Sequence, residues 1–308
     1  MQTLTDQDIE LLLDPVRLIS VITEAFQVRY GSVLQPQRIQ MKLPHGIFLV
    51  MPCADISGRT LGTKFILVPS ESGKPLQSTY LLMDGVTAEP RLLIPANILT
   101  DLRTAAASAA ATRALARMDV RVLGIFGTGR QARAHLRVLP IARHFERILV
   151  CGSDAKRTTA FAREMSDLLK TKVESTGART IASEADVLCT CTSATEPLFD
   201  GAWLKPGAHL NLVGAFQPHT REVDDATVIR SRVYVDTYEG CLSEAGDLLI
   251  PLMRGAIARE HVRGDLHDLF SGKCPGRESA LDITLFKSVG CAIEDLVTAE
   301  LIASAVAT

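Results

Sequence analysis

The chain has 308 residues, of which 47% are hydrophobic and 22% charged, and its formal net charge is -2. This composition predicts a folded protein with one large domain or two of ordinary size, and it excludes an intrinsically disordered chain. Because no block of basic residues stands out, the sequence argues against a nucleic-acid partner.

The apolar segments and the cysteines favour a cytoplasmic protein with no membrane partner. Charges interrupt every apolar stretch before it reaches the about eighteen residues of a membrane span, and the N-terminus lacks the basic start of a signal peptide. The seven cysteines form no CxxC pair, and the seven histidines show no ligand spacing. We therefore expect free thiols in a reducing compartment and no structural metal.

The first part of the chain predicts helices followed by a mainly antiparallel sheet. Thr5 and Asp8 resemble a helix N-cap, and helical periodicity continues to about Tyr30. Between Gln37 and Pro95, the strand-like runs are IFLVMPC, TLGTKFILV, STYLLMD and PRLLIPA. From about Asn97 to Met118, the alanine, leucine and arginine content predicts a long helix.

The second part alternates compact apolar runs with polar stretches, which predicts an α/β fold with a parallel sheet covered by helices. The runs are RVLGIFG, RILVCG, ADVLCTCT, HLNLVGA and RVYVDT. This change of rhythm places a domain boundary near Asp119. The tail predicts an amphipathic helix, and its periodicity does not decide which domain it joins.

The sharpest local motif is a glycine-rich turn, Gly127-Thr128-Gly129-Arg130-Gln131-Ala132. It directly follows an apolar run and opens a predicted helix, Arg130 to Arg143. The two glycines allow a tight turn and close approach of a pyrophosphate, whose charge the helix N-terminus stabilises. A structural turn also fits the motif, but the order of strand, turn and helix favours a Rossmann-type nucleotide site.

The end of the next strand bears on the choice of cofactor. NAD sites usually place an acid there for the ribose hydroxyl, whereas this chain has Gly152 and Ser153, with Lys156 and Arg157 close behind. This combination favours NADPH. NADH stays possible, because Asp154 is able to serve the ribose and the two cations also fit a solvated helix start.

Three cations lie in otherwise apolar or small-residue segments: Arg38, Lys64 and Arg103. A buried cation is costly unless it meets an anion or reaches solvent. Each one alone fits a side chain that extends to water. The three together indicate a pocket for a small carboxylate, since arginine binds carboxylates through two parallel hydrogen bonds.

Several longer stretches resemble the ornithine cyclodeaminase/mu-crystallin family: GTKFILV, LTDLRTAAASAAA, LGIFGTGRQARAHL, TSATEPLFDGAWLKPGAHLNLVGA, REVDD, EAGDLLIPL and ITLFKSVGCAIEDL. The resemblance implies a homodimer of two-domain subunits. Residues 1–118 with 289–308 would form the substrate and dimerisation domain, and residues 119–288 the Rossmann domain. It also implies that the C-terminal helix returns to the first domain.

The same resemblance assigns roles to individual residues. Arg38 and Arg103 match the arginines that hold the substrate carboxylate, and Lys64 matches the active-site lysine. With the glycine turn and the second strand end included, the expected cofactor-binding residues are Thr104, Gly127, Thr128, Gly129, Arg130, Gln131, Gly152, Ser153, Arg157, Thr192, Ser193, Val213 and Ser288.

One departure from the family bears on the reaction. Ornithine cyclodeaminases carry an essential aspartate where this chain has Phe216, which has no proton to exchange and would suit an apolar ring. The GAF sequence and Gly152 look most like bacterial Δ1-pyrroline-2-carboxylate reductases. The hypothesis is therefore reduction of this cyclic imino acid, or of Δ1-piperideine-2-carboxylate, with NAD(P)H.

Three alternatives stay open at this point. The protein is also compatible with reductive amination of pyruvate, as in an alanine dehydrogenase. A lyase, either an ornithine cyclodeaminase or a hydroxyproline dehydratase, would turn over without net consumption of nicotinamide. The third alternative is a non-catalytic NADPH-binding protein of the crystallin type.

Overall fold

A computed structural model describes residues 1–57, 59–71 and 76–307. By packing, the chain forms two compact units, unit 1 with residues 1–103 and 290–308, and unit 2 with residues 104–289. The division falls inside one continuous helix, because the first residues of that helix pack in unit 1 and the rest in unit 2. It therefore lies before Asp119, and the assignment of functions to the two parts stays a prediction.

The N-terminal elements build a mixed sheet. In chain order they are β1 (Gln2–Thr3), α1 (Asp6–Leu12), α2 (Pro15–Glu24), β2 (Val33–Leu34), β3 (Ile39–Leu43), β4 (Gly46–Asp55), β5 (Thr60–Pro69), β6 (Gln77–Asp84), β7 (Pro90–Pro95) and α3 (Ala96–Leu115). In the described part of the chain the order is β1-β7-β6-β5-β4-β2, and β3 also pairs with β4. The pairs are antiparallel except β1 with β7, which confirms the predicted sheet.

Local sequence patterns explain how these elements form. The Thr5 side chain accepts a hydrogen bond from the backbone of Asp8, and the Asp8 carboxylate accepts one from the backbone of Thr5, which confirms the N-cap of α1. Along β4 the more and less buried side chains alternate, because one face of the sheet lies in the core. The alanines of α3 from Ala105 to Ala111 are buried, since small side chains permit close packing.

Unit 2 contains the parallel sheet. The remaining elements in chain order are β8 (Val122–Phe126), α4 (Arg130–Ala142), β9 (Arg147–Cys151), α5 (Ala155–Leu169), β10 (Val173–Ser175), α6 (Ala178–Glu184), β11 (Val187–Thr190), β12 (His209–Leu212), α7 (Asp225–Ile229), β13 (Ser231–Val235), α8 (Tyr238–Glu244), α9 (Gly246–Met253), β14 (Val262–Asp265), α10 (Leu266–Phe270), β15 (Ile283–Lys287) and α11 (Ala292–Val306). Of these, α11 belongs to unit 1.

The strand order in unit 2 is β10-β9-β8-β11-β12-β15-β13-β14, and all the pairs are parallel. The chain enters at β8, moves outward to β10 and then crosses back to β11. This reversal opens a crevice beyond the carboxyl ends of β8 and β11, the usual ligand site of a Rossmann-type sheet. The predicted α/β fold is confirmed, and α4 ends one residue before its predicted end.

The C-terminal helix α11 differs from its predicted pattern. It packs against α2 and against β4, β5 and β6 within unit 1. The prediction of an amphipathic helix is wrong, because every residue from Ala292 to Ala299 is buried, including the acids Glu294 and Asp295 at 0% exposure. These acids lie inside because they meet buried cations. No helix in residues 1–57, 59–71 and 76–307 has the length and apolar character to cross a bilayer.

Candidate functional site

Unit 1 brings two predicted site residues onto a single buried carboxylate. Lys64 on β5 and Arg103 on α3 are 0% and 4% exposed. The Lys64 Nζ lies 2.8 Å from Oδ1 and 2.7 Å from Oδ2 of Asp295, and the Arg103 Nε donates to the same Oδ1 at 3.0 Å. The Arg103 Nη1 donates to Glu294 at 2.6 Å. Adjacent acids of α11 thus fix both cations.

Arg38 joins this group through the backbone of Gly290. Its Nη2 donates to the Gly290 carbonyl oxygen at 2.7 Å. Gly290 has φ +80°, and a Cβ at this position would lie 2.6 Å from the Arg103 Nη1. The glycine therefore permits the close approach of backbone and guanidinium. The structure brings Arg38, Lys64 and Arg103 together, as the sequence predicts. We call these three cations with Glu294 and Asp295 the cation cluster.

Burial and charge act differently on the two innermost cations of the cluster. Burial, with the neighbouring Arg103 guanidinium, lowers the pKa of Lys64 to about 8, although Asp295 acts in the opposite direction. Burial also opposes the charged form of Arg103, but Asp295 and Glu294 outweigh it and raise its pKa. Arg103 is therefore a permanent cation, whereas Lys64 is able to exchange a proton near neutral pH.

The two acids were missed from the sequence, where they look like solvated charges on an outer helix face. Three cations and two carboxylates leave the cluster with one net positive charge. Arg103 donates to the two acids through Nε and Nη1. This arrangement is suited to one small carboxylate.

The glycine-rich turn in unit 2 has the geometry of a phosphate-binding loop. Gly127 has φ +117°, and a Cβ there would lie 2.5 Å from the Cys191 carbonyl oxygen, so a side chain is excluded. Gly129 is the N-cap of α4 and caps it with no side chain, and a Cβ there would meet nothing within 4 Å among the described residues. Backbone amides of α4 thus adjoin open space, which fits a pyrophosphate.

At the end of β9, the acid Asp154 already has one hydrogen-bond partner in the protein. The Asp154 carboxylate accepts a hydrogen bond from the Arg157 backbone at 2.6 Å and so caps α5. Gly152 is packed against Thr128 and Thr158, and a Cβ would lie 2.7 Å from the Thr158 hydroxyl. The side chains of Ser153 and Arg157 are exposed beside this glycine.

The other predicted cofactor residues and the predicted substrate residue Phe216 fall into two groups. Ser193 and Phe216 are exposed on loops that follow β11 and β12, and Val213 is half-buried at the end of β12. The rest are buried or bonded to the protein: Thr104 is buried, the half-buried Thr192 donates to Glu222, and Ser288 donates to Asp236 at 3.0 Å. Contact of Thr104, Thr192, Ser193, Val213, Phe216 and Ser288 with ligands stays a prediction.

One buried cluster was not expected from the spacing of histidines and cysteines. His135, Cys189 and Cys191 lie with their ligand-type atoms within 4.8 Å of one another. The His135 ring nitrogens lie 2.8 Å from the Gln131 carbonyl oxygen and 2.9 Å from the Ser108 hydroxyl. Both nitrogens thus have protein partners, and burial raises the pKa of the Cys191 thiol well above its usual value.

Comparisons with known proteins show which family and structures the chain resembles. The model of the ornithine cyclodeaminase/mu-crystallin family matches residues 1–308. A Thermococcus litoralis Δ1-pyrroline-2-carboxylate reductase, solved with NADH and L-proline, superposes with a TM-score of 0.95 at 35% identity and covers 100% of this chain and 98% of its own. A Colwellia psychrerythraea Δ1-pyrroline-2-carboxylate reductase is 32% identical over 97% of both chains. The mouse ketimine reductase mu-crystallin is 33% identical over 88% of this chain and 85% of its own.

Proposed function

Since the chain belongs to the ornithine cyclodeaminase/mu-crystallin family, we propose that it is a reductase that converts Δ1-pyrroline-2-carboxylate to L-proline with NAD(P)H. The six-membered Δ1-piperideine-2-carboxylate is the proposed second substrate, with L-pipecolate as product. The similarity to reductases of this type over nearly the whole chain supports the proposal.

The observation that carries the proposal is the cation cluster. Its single excess positive charge matches a substrate with one carboxylate, and its buried acids fix the cations before any ligand arrives. Such preorganisation lowers the entropic cost of holding a small substrate in a reactive orientation. A residue that exchanges a proton near pH 8 lies in the same cluster. These are the requirements for binding and protonating a small imino acid.

The residues of unit 2 fit a nicotinamide dinucleotide. Gly127 and Gly129 would hold the pyrophosphate with the N-terminus of α4, and Gly152 and Arg157 would hold the adenosine ribose. When bound, the cofactor supplies a hydride. We propose NADPH as the preferred form, with NADH also accepted, because the acid at the end of β9 caps a helix and exposed cations lie beside it.

The chain's own residues bind, orient and protonate the substrate. Arg38 and Arg103 hold the carboxylate, which fixes the imine carbon as the hydride acceptor. The Lys64 ammonium holds the proton that the imine nitrogen gains, so that the reaction adds one hydride and one proton to the C=N bond. Phe216 lies against the apolar part of the ring. Phenylalanine has no acid to offer an amino group, which disfavours ornithine cyclisation.

The decisive experiment follows nicotinamide absorbance with the purified protein, each cyclic imine, and either NADPH or NADH. Arg38→Ala and Arg103→Ala are each expected to raise the KM for the imine at least ten-fold. A hydrogen bond to a charged group contributes roughly 1.5–3 kcal/mol. Arg17→Ala, which removes an exposed arginine of α2, is the matched control and should leave KM unchanged.

Other results would select the other reactions. Oxidation of the cofactor that requires pyruvate and ammonia, with none on the preformed imine, would show an alanine dehydrogenase. Product from ornithine or hydroxyproline without net cofactor consumption would show a lyase. Tight cofactor binding without turnover on any of these substrates would show a binding protein. Normal KM values in both arginine variants would refute the assigned site.

A further inference from the structure

Three charged residues that have no role in the proposed reaction meet in one buried network of unit 2. Glu222 lies in REVDD, Asp247 in EAGDLLIPL and Lys287 in ITLFKSVG, and each side chain is 0% exposed. The Lys287 Nζ lies 3.1 Å from Asp247 Oδ2 and donates to the Leu212 carbonyl oxygen at 3.3 Å. Asp247 Oδ1 accepts the backbone N–H of Glu222 at 2.7 Å. The ion pair of Asp247 and Lys287 thus fixes the backbone at Glu222.

The Glu222 carboxylate joins the ends of two strands. Its Oε1 accepts from the backbone N–H of Thr192 at 2.8 Å and from the Thr192 hydroxyl at 2.7 Å. Its Oε2 accepts from the Thr190 hydroxyl and the Gly214 N–H, both at 2.7 Å, and from the Ala215 N–H at 3.3 Å. Burial and the neighbouring Asp247 raise the pKa of Glu222, whereas Lys287 and the hydrogen bonds from Thr190 and Thr192 favour the ionised carboxylate.

The Glu222 carboxylate links two chain segments just beyond the end of the pairing between β11 and β12. The pairing of β11 with β12 ends at Thr190 and Leu212, and the segments that Glu222 holds follow these residues. A Cβ at Gly214 would collide with the Thr192 carbonyl oxygen and lie 2.5 Å from Glu222 Oε1, so the two segments are in close contact. The contact between these two segments therefore requires glycine at position 214 and the Glu222 carboxylate that bonds to both segments.

The held segments reach the surface at the carboxyl edge of the sheet. Thr192 and Gly214 are half-buried, and the residues Ser193 and Phe216 beyond them are exposed. In a sheet of this order, the pyrophosphate lies at the end of β8 and the adenosine towards β9. The nicotinamide half of a bound cofactor would therefore lie on the other side, over the ends of β11 and β12.

We propose that Glu222 is the positioning residue for the nicotinamide end of the cofactor. It does not touch the cofactor itself but fixes the backbone at residues 192 and 214–215, which forms the floor for that end. The inference rests on the proposed function only for the choice of a nicotinamide cofactor. It does not depend on which imine is reduced.

The test compares two ligands that differ in the nicotinamide end. Glu222→Gln places an amide N–H against N–H and hydroxyl donors in either orientation of the side chain. We expect the Kd for NADPH to rise at least ten-fold in titration calorimetry. The Kd for 2′,5′-ADP, which lacks the nicotinamide, its ribose and the adjoining phosphate, should stay within two-fold of the value for the unaltered protein. Glu260→Gln, which changes an exposed glutamate of unit 2, is the matched control for both ligands.

Thr190→Val is the milder variant and covers the case in which Glu222→Gln does not fold. The Thr190 side chain is 0% exposed, so it does not touch a ligand, and its hydroxyl donates to Glu222. Thr190→Val should raise the Kd for NADPH about three-fold and leave the Kd for 2′,5′-ADP unchanged. Equal losses for both ligands, or no loss for either, would overturn the proposal.

Binding is measured without substrate, so the two hypotheses fail separately. Selective loss of NADPH binding together with no turnover of any imine would refute the proposed reaction and leave the role of Glu222 intact. Normal imine turnover in the unaltered protein would support the proposed reaction. Equal losses of NADPH and 2′,5′-ADP binding in the variants would at the same time refute the role of Glu222.

Discussion

Lys64 shows how a single side chain acquires chemistry from its surroundings. An exposed lysine stays protonated far above neutral pH, but burial beside Arg103 brings the pKa of Lys64 to about 8. Asp295 acts in the opposite direction on this pKa, because its carboxylate contacts the ammonium and favours the charged form. The proton is therefore both held and exchangeable, as a proton donor requires.

The pH dependence of the reaction tests this account. The pKa of Lys64 is lowered in the folded protein, so the ammonium is present below about pH 8 and is lost above it. We expect kcat/KM to fall by about ten-fold per pH unit on the alkaline side. Asp295→Asn removes the group that raises this pKa, and the fall should begin about one pH unit lower or more.

Ionisation of the imine itself is the same for every variant, so the shift between variants is the readout. Loss of one partner from a buried ion pair costs about 3–5 kcal/mol, and thermal unfolding should accompany the pH profiles. Lys64→Met should remove the part of the alkaline fall that Lys64 causes, together with most of the activity. The exposed Glu24→Gln is the control. An alkaline limb that does not move in Asp295→Asn would refute the role of Lys64 as donor.

At the scale of elements, the N-terminus of α5 is the place where we expect the cofactor preference to be set. Asp154 caps this helix, and the next turn presents exposed Lys156 and Arg157. A phosphate near a helix N-terminus gains both from the backbone dipole and from a guanidinium. If the Asp154 carboxylate did not cap this helix, both of its oxygens could accept hydrogen bonds from a ribose, which would favour NADH instead.

Arg157→Ala is therefore expected to raise the Kd for NADPH about ten-fold and to leave the Kd for NADH within two-fold of the value for the unaltered protein. The difference between the two dinucleotides isolates the 2′-phosphate, because the rest of each molecule is identical. Arg163→Ala, on the same helix and also exposed, is the matched control. Equal weakening of both cofactors would mean that Arg157 does not meet the phosphate.

Regular elements were predictable because their patterns are local. The strands β4 to β9, the long helix α3 and the glycine turn follow from alternation, composition and steric freedom within a few residues. The acids Glu294 and Asp295 were not, since their burial depends on cations about 190 and 230 residues earlier. Glu222 was equally hidden, because its donors come from strand ends that only the folded sheet brings together.

At the scale of the whole molecule, β3 exposes apolar side chains to solvent. This exposure does not stabilise an isolated subunit. Ile39, Met41 and Leu43 alternate along this strand and are 51%, 42% and 46% exposed. Alternate residues share one face of a strand, so the three form an apolar stripe. A contiguous exposed apolar patch of this kind marks an interaction site.

The resemblance to a dimeric family leads to the prediction that a second copy covers this stripe. Light scattering should give about twice the chain mass of 33.3 kDa. Met41→Glu places like charges at the centre of the interface, where desolvation is costly, and should halve the observed mass. Gln40→Glu adds the same charge to the opposite face of β3 and should keep the doubled mass. If Met41→Glu also keeps it, the subunits associate elsewhere, because a buried carboxylate at this position would not be tolerated.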